Sequence, residues 1–280
     1  MLNIIIPANN EQAYIGRCLD AVLAQRMPED APKVRVVVAA NACTDDTVVL
    51  ARAATPRADA RGWTIEVLDL PQGGKAGALN AADRLVTEDD PQGMRIYLDA
   101  DVVMSPPLLA ALWRALDRPD AAYASGRLVV ARAQSAVTRA YARIWTRLPF
   151  MTEGVPGAGL FAVNAAGRAR WGEFPAIISD DTYVRLQFAP AERIGVEPGF
   201  EWPMVEGFSN LVRVRRRQDA GVAEVARHYP AIMANEGKSV LTRGHLLRLA
   251  LSDPAGFAVY VSVALAVRMR RDAGRWSRGR

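Results

Sequence analysis

RIYLDADVVMSPP, residues 95–107, sets a short apolar run against two aspartates one residue apart and closes on Ser-Pro-Pro. A buried strand normally excludes carboxylates, because an ion taken out of water is costly unless it is compensated. A strand that finishes in Asp99 and Asp101 therefore ends where the core ends, at an edge that opens into a site. Two carboxylates one residue apart reach the same hard cation only if the backbone turns, which Ser105-Pro106-Pro107 favours.

Working outward from this stretch, the first hundred residues alternate between two hydrophobic periods. LNIIIP (2–7) is a continuous apolar run, the mark of a strand covered on both faces. AYIGRCLDAVLAQ (13–25) puts Ile15, Cys18, Leu19, Val22 and Leu23 on one helical face, and KVRVVVAA (33–40) returns to a buried strand. A helix with an acidic start (44–54), the strand WTIEVLDL (63–70), the helix KAGALNAADRLV (75–86) and the strand MRIYLDA (94–100) complete β-α-β-α-β-α-β. Right-handed crossovers between such strands imply an open, Rossmann-like, mainly parallel sheet flanked by helices. Ligands of such sheets lie beyond the carboxyl ends of the strands. PANNE, NACTDD, PQGGKAG and DAD fall there and converge on one edge.

Beyond residue 103 the pattern predicts a helix over 106–116, a strand over 121–131 and an amphipathic helix over 133–148. A Gly-rich segment, EGVPGAGLFAVN (153–164), leads to a helix opened by Asp180 and Asp181, a position where acids also serve as simple N-terminal charges. From SNLVRVRRRQDAG onward the chain is basic and helical. Residues 211–280 carry 14 Lys/Arg against 5 Asp/Glu, whereas residues 1–210 carry 21 against 25. That asymmetry favours an anionic partner such as a membrane surface. PAGFAVYVSVALAV (254–267) is shorter than the ~20 residues that span a bilayer, so it lies on a membrane or packs on the protein. Cys18 and Cys43 make at most one bridge, and no secretion signal is evident, so a cytoplasmic setting is expected, with peripheral attachment to the inner face of the membrane. No nucleic-acid partner is expected. His228 and His245 lie away from the motifs, and Trp145, Trp171 and Trp202 fit core packing as well as stacking on an acceptor.

GGKAGALN lacks the spacing and the Ser/Thr after Lys of a Walker motif, so Lys75 is read as a phosphate contact or a partner of a nearby acid. Taken in order, IIIPANNEQAYIGRCLDAVLAQ, NACTDDT, GGKAGALNAA, YLDADVVMSPPLL and GLFAVNAAGRARWGEFPAIISDDTYV resemble the successive motifs of family-2 glycosyltransferases. The resemblance covers about residues 3 to 190. It implies a GT-A fold, a nucleoside-diphosphate sugar donor with UDP favoured, Mn²⁺ or Mg²⁺, and inverting transfer to a sugar or lipid-linked acceptor, as in bacterial polysaccharide or glycolipid synthesis.

By the same resemblance Pro7, Ala8, Asn10 and Glu11 line the nucleotide pocket, with Asn41 and Asp45 near the base. Lys75 follows the third strand, Asp99 lies by the ribose and Asp101 holds the metal. Asp181 is the general base. Beside the resemblance, Asp180 and Arg216 are also assigned to the donor site, the arginine because an Arg of residues 213–217 would stabilise the charge of the departing diphosphate. Asn9 replaces a frequent aromatic and Ala40 a base-contacting Asp, while the Q-x-x-R-W signature of processive members is replaced by RVRRRQDAG, with Arg213, Arg215, Arg216 and Arg217. Transfer of a single sugar follows. The expected organisation is a catalytic domain over 1–210, whose nucleotide-sugar half is 1–103 and acceptor half 104–210, followed by a basic helical segment over 211–280. Two rival readings are a degenerate scaffold of the same fold and a nucleotidyltransferase that makes sugar nucleotides. The second normally opens on a Gly-rich basic loop that PANNEQ does not provide.

Overall fold

The computed structural model describes residues 1–237 and 239–269. Its strands are β1 (Leu2–Ala8), β2 (Val34–Asn41), β3 (Thr64–Leu70), β4 (Met94–Leu98), β5 (Val103–Met104), β6 (Tyr123–Val130), β7 (Leu160–Val163) and β8 (Arg193–Trp202). They form one sheet in the order β3-β2-β1-β4-β7-β6-β8-β5. β3, β2, β1 and β4 are parallel, β7 runs antiparallel between β4 and β6, and β8 returns parallel to β6. The chain leaves β1 in one direction to β2 and β3, then comes back to β4 on β1's other side. That switch point opens a crevice at the strand ends.

The two faces of the sheet explain the apolar runs. On β1, Leu2, Ile4 and Ile6 face the cluster built on α1 (Ile15–Leu23), while Ile5 faces α4 (Lys75–Asp89). β2 repeats the division, with Val34, Val36 and Val38 on one side and Val37 and Ala39 on the other. All five apolar positions expected on α1 are buried. The remaining helices of the first half are α2 (Thr47–Arg52), α3 (Thr55–Asp59) and α5 (Leu108–Leu116).

In the second half come α6 (Ala136–Trp145), α7 (Pro149–Thr152), α8 (Ala165–Arg168), α9 (Asp180–Arg185), α10 (Phe208–His228), α11 (Arg243–Ser252) and α12 (Pro254–Met269). A third apolar cluster joins α6, α10, α11 and α12 through Tyr141, Ile144, Leu211, Val212, Leu249 and Val263. The basic C-terminal region thus packs on α6, and α10, which spans residue 211, is one continuous helix. Among the described residues no helix is long and apolar enough to cross a membrane. Trp276 and the arginines beyond residue 269 lie outside the described residues.

Candidate active site

The ends of β1, β2 and β4 deliver their loops side by side, since Ala8 pairs with Ala40 and Ile5 with Tyr97. A cleft of about 1100 Å³ opens there. Pro7, Ala8, Asn10, Glu11, Asn41, Lys75, Asp99, Asp101, Asp180 and Asp181 all line it. Asp45 and Arg216 do not. Asp45 instead accepts from the Thr47 backbone N–H (3.1 Å) and hydroxyl (2.5 Å) and from the Gln12 N–H (3.1 Å), tying the first loop to the start of α2. Desolvation alone would raise its pKa, but these hydrogen bonds outweigh it and hold the carboxyl below its ordinary value. Arg216 turns away from the cleft and donates to the carbonyls of Ala266 (2.6 Å) and Val267 (3.4 Å) on α12; it docks the C-terminal helix, while Arg215 and Arg217 line the cleft.

Asn41 is fully committed to the architecture. Its amide donates to the Ala8 carbonyl at 2.8 Å and its oxygen accepts from the Gly74 N–H at 2.9 Å. Gly74, at φ +131°, takes a conformation that other residues rarely adopt and delivers Lys75 as the first residue of α4. Asn10 and Ala42 also lie at positive φ, and the Asn10 side chain accepts from the Thr44 N–H at 2.7 Å to lock the two loops together.

The backbone turn that brings both aspartates to the cleft lies within Asp99–Val102, where the Val102 N–H donates to the Asp99 carbonyl at 3.1 Å. Ser105 comes later and starts α5 by accepting from the Leu108 N–H. The Asp99 N–H donates to Gly159 at 2.8 Å, which couples the aspartate pair to the Gly-rich segment before β7. Lys75 Nζ sits between Asp99 (2.9 Å) and Asp180 (3.1 Å). Burial alone would depress the lysine's pKa, but Asp180, Asp99 and Asp181 raise it above the ordinary value. Among the described residues no cation is in contact with Asp181. Desolvation, then repulsion from Asp180, pushes its carboxyl up to about 6, against the pull of Lys75 and of the Thr182 N–H at 2.6 Å.

Among the described residues no group of three or more His, Cys, Asp or Glu side chains is placed to hold a metal ion. The donors at the cleft are carboxylates, which suit a hard divalent cation whose remaining shell comes from phosphates and water. Asp101, a carboxylate lining the cleft, is of the donor type that fits that role, and Asp99 pairs with Lys75. The cleft's other wall is aromatic and apolar, with Tyr141, Trp145, Trp202, Met204 and Leu211. Core packing accounts for Trp171 but only partly for Trp145 and Trp202, whose rings stack at 5.8 Å and line the cleft. The sequence signal for this wall is the α10 stripe Leu211, Val214, Arg215 and Gln218, spaced for one helical face.

Comparison with solved structures gives matches over nearly the whole chain. The mannosyltransferase PcManGT from Pyrobaculum calidifontis, in complex with GDP-Man and Mn²⁺, is 20% identical, with 97% of this chain and 76% of that chain covered and a TM-score of 0.57. TarS (residues 1–349) from S. aureus, in complex with UDP-GlcNAc, is 14% identical, with 96% and 76% covered and a TM-score of 0.54. Glucosyl-3-phosphoglycerate synthase from Mycobacterium tuberculosis, in complex with Mn²⁺, UDP-Glc and glycerol 3-phosphate, is 16% identical, with 81% and 79% covered and a TM-score of 0.53. At these identities the likeness establishes the fold, which is GT-A. No curated protein matches the sequence. The family model for glycosyl transferase family 2 matches residues 3–171, well over half of the chain, and the protein belongs to that family.

Proposed function

We propose that the protein moves one sugar from a nucleoside-diphosphate sugar to an acceptor hydroxyl, with inversion and with the help of a divalent metal ion. The observation that carries this reading is the gathering of Asp99, Asp101, Asp180, Asp181 and Lys75 in one cleft at the carboxyl edge of the sheet. A hydroxyl titrates far above neutral pH, so a carboxylate must take its proton as the oxygen bonds to the anomeric carbon. Asp181 serves as that base: its carboxyl is raised to about 6, near the pH at which it must accept a proton. Direct displacement by the oxygen breaks the bond to the diphosphate and inverts the centre. When bound, a Mn²⁺ or Mg²⁺ ion on Asp101 neutralises charge on the departing diphosphate. Lys75, fixed by Asp99 and Asp180, adds a positive charge at the same edge. Pro7, Ala8, Asn10 and Glu11 form the wall against which the nucleotide lies, and Asn41 and Asp45 keep that wall in shape. Asp181→Asn is expected to abolish sugar transfer, by at least about a thousandfold, while nucleotide binding stays within about twofold. Loss of nucleotide binding together with transfer would remove Asp181 from the role of base.

The C-terminal helices support attachment at a membrane surface. Leu247 and Leu251 on α11 and Leu265 and Met269 on α12 are exposed, each pair one helical turn apart, within a segment rich in arginine. The anionic inner leaflet is the surface that complements this charge. Sedimentation with vesicles containing phosphatidylglycerol is expected to fall several-fold in a Leu247→Gln/Leu251→Gln variant; unchanged sedimentation would refute this attachment.

A further inference from the structure

Asp180 and Asp181 stand in the first turn of α9, a helix of only six residues. A helix this short is not stable by itself, because so few hydrogen bonds do not repay its nucleation. Among the described residues its N-cap, Ser179, makes no side-chain capping bond, and the lead-in 172–179 forms neither helix nor strand. The place of the two carboxylates is therefore set by what this segment packs against.

It packs along the second half of α10 and the 3₁₀ turn Pro230–Asn235 that follows. Gly221 approaches the lead-in so closely that a Cβ there would come within 2.2 Å of Ser179 Oγ. One turn on, Glu224 accepts from the Ile178 N–H at 2.9 Å. The Tyr229 and Tyr183 rings meet at 4.8 Å, and the Asn235 amide donates to the Leu186 carbonyl at the far end of α9 at 2.9 Å. Glu236 closes the run with an ion pair to the buried Arg185 at 2.9 Å. These contacts differ in kind. Gly221 and Tyr229 fill space, whereas Glu224 gives a charged acceptor to a backbone N–H three residues before Asp181. Glu224 does not itself line the cleft.

We propose that α10 and the turn after it clamp the segment carrying the general base, with Glu224 as the positioning residue that fixes where the Asp181 carboxylate meets the acceptor hydroxyl. This inference rests on the glycosyltransferase reading of the cleft, in which Asp181 is the base. Misplacing such a group by about 1 Å costs on the order of a hundredfold in rate.

The test compares full-length wild type, Glu224→Ala, Glu224→Gln, Gly221→Ala and Asp181→Asn. Amide hydrogen exchange followed by mass spectrometry reports the clamp. Hydrolysis of UDP-glucose, UDP-GlcNAc and GDP-mannose with Mn²⁺, with water as the acceptor, reports turnover. Glu224→Ala should exchange at least about tenfold faster over 176–186 and at the wild-type rate over 1–104. Its kcat should fall by about tenfold to a hundredfold while the donor KM stays within about twofold. Glutamine keeps an oxygen that accepts the Ile178 N–H, so Glu224→Gln should restore most of both. Gly221→Ala, which leaves Glu224 in place and pushes Ser179 aside, should lose kcat in the same way. Exchange over 176–186 that is equal in Glu224→Ala and wild type overturns the inference. A rise spread over the whole chain, or one as large in Glu224→Gln as in Glu224→Ala, also overturns it, as does a higher donor KM with kcat unchanged. Each of these leaves the glycosyltransferase reading standing provided that Asp181→Asn is inactive. Wild-type turnover in Asp181→Asn, or a wild type that hydrolyses none of the donors, overturns that reading and this inference with it.

Discussion

Asp181 carries the sharpest consequence of the geometry. Its carboxyl, ordinarily at 3.8, is raised to about 6 by burial beside Asp180. Transfer needs the carboxylate, so kcat/KM is expected to fall about tenfold per pH unit below about pH 6 and to level off above it. Stability runs the other way. A carboxyl raised in the folded state favours folding below its ordinary pKa, and that contribution is lost as pH rises through the folded value. Asp181→Asn should therefore melt higher than wild type near pH 8 and show no such advantage near pH 4; the reverse order would contradict the assignment. Asp99 and Asp101 could be read from the sequence because they follow the apolar run of β4, whereas Asp180 and Asp181, which open α9 after a loop, were placed by the family resemblance. Arg216 could not be placed in the same way. With arginine at 213, 215, 216 and 217, only the phase of α10 decides which guanidinium meets the cleft, and that phase is set by Gly221 against Ser179. Asp45 was equally opaque, since one short acidic loop can cap a helix or meet a base.

At the scale of elements, β1, β2 and β4 were legible because they are buried on both faces along almost their whole length, so apolar residues dominate each run. β3, half-buried at the sheet edge, was legible through Ile65, Val67, Leu68 and Leu70. β7 and β8 were not. β7 is only Leu160–Val163, directly after glycines at positive φ. β8 contains Gly195, Pro198 and Gly199, and its pairing with β6 shifts register at Gly126/Arg127, so neither shows a period. A buried ionic group joins the legible half to the hidden one. Asp83 on α4 accepts from Arg95 on β4 at 3.2 Å, from the Tyr97 hydroxyl at 2.9 Å and from Arg168 on α8 at 2.8 Å. Arg95 is 2% exposed, so Asp83→Ala leaves a charge stranded in the interior. The expected cost is about 3–5 kcal/mol. In a domain of this size that lowers Tm by on the order of 10 °C, measurable by calorimetry; a change of only about a degree would mean that the group contributes little.

On the scale of the whole molecule, a parallel sheet supplies the polar edge and the α6–α10–α12 cluster faces it with an apolar wall, so one cleft offers both kinds of surface. Composition announced the basic C-terminal segment over 211–280, but not that α10 would turn its first turns into the cleft, because that depends on contacts between residues far apart in sequence. The central claim is that this cleft binds a nucleoside diphosphate through a metal on Asp101. Thermal unfolding of wild type and Asp101→Ala with UDP, GDP, dTDP, ADP and CDP, each with and without Mn²⁺, tests it directly. A ligand at a hundred times its Kd adds about 2.7 kcal/mol of stability. A Mn²⁺-dependent rise of several degrees with one nucleotide, absent in Asp101→Ala, is the predicted result. A folded wild-type protein that no nucleotide stabilises, or a rise that survives in Asp101→Ala, would contradict it.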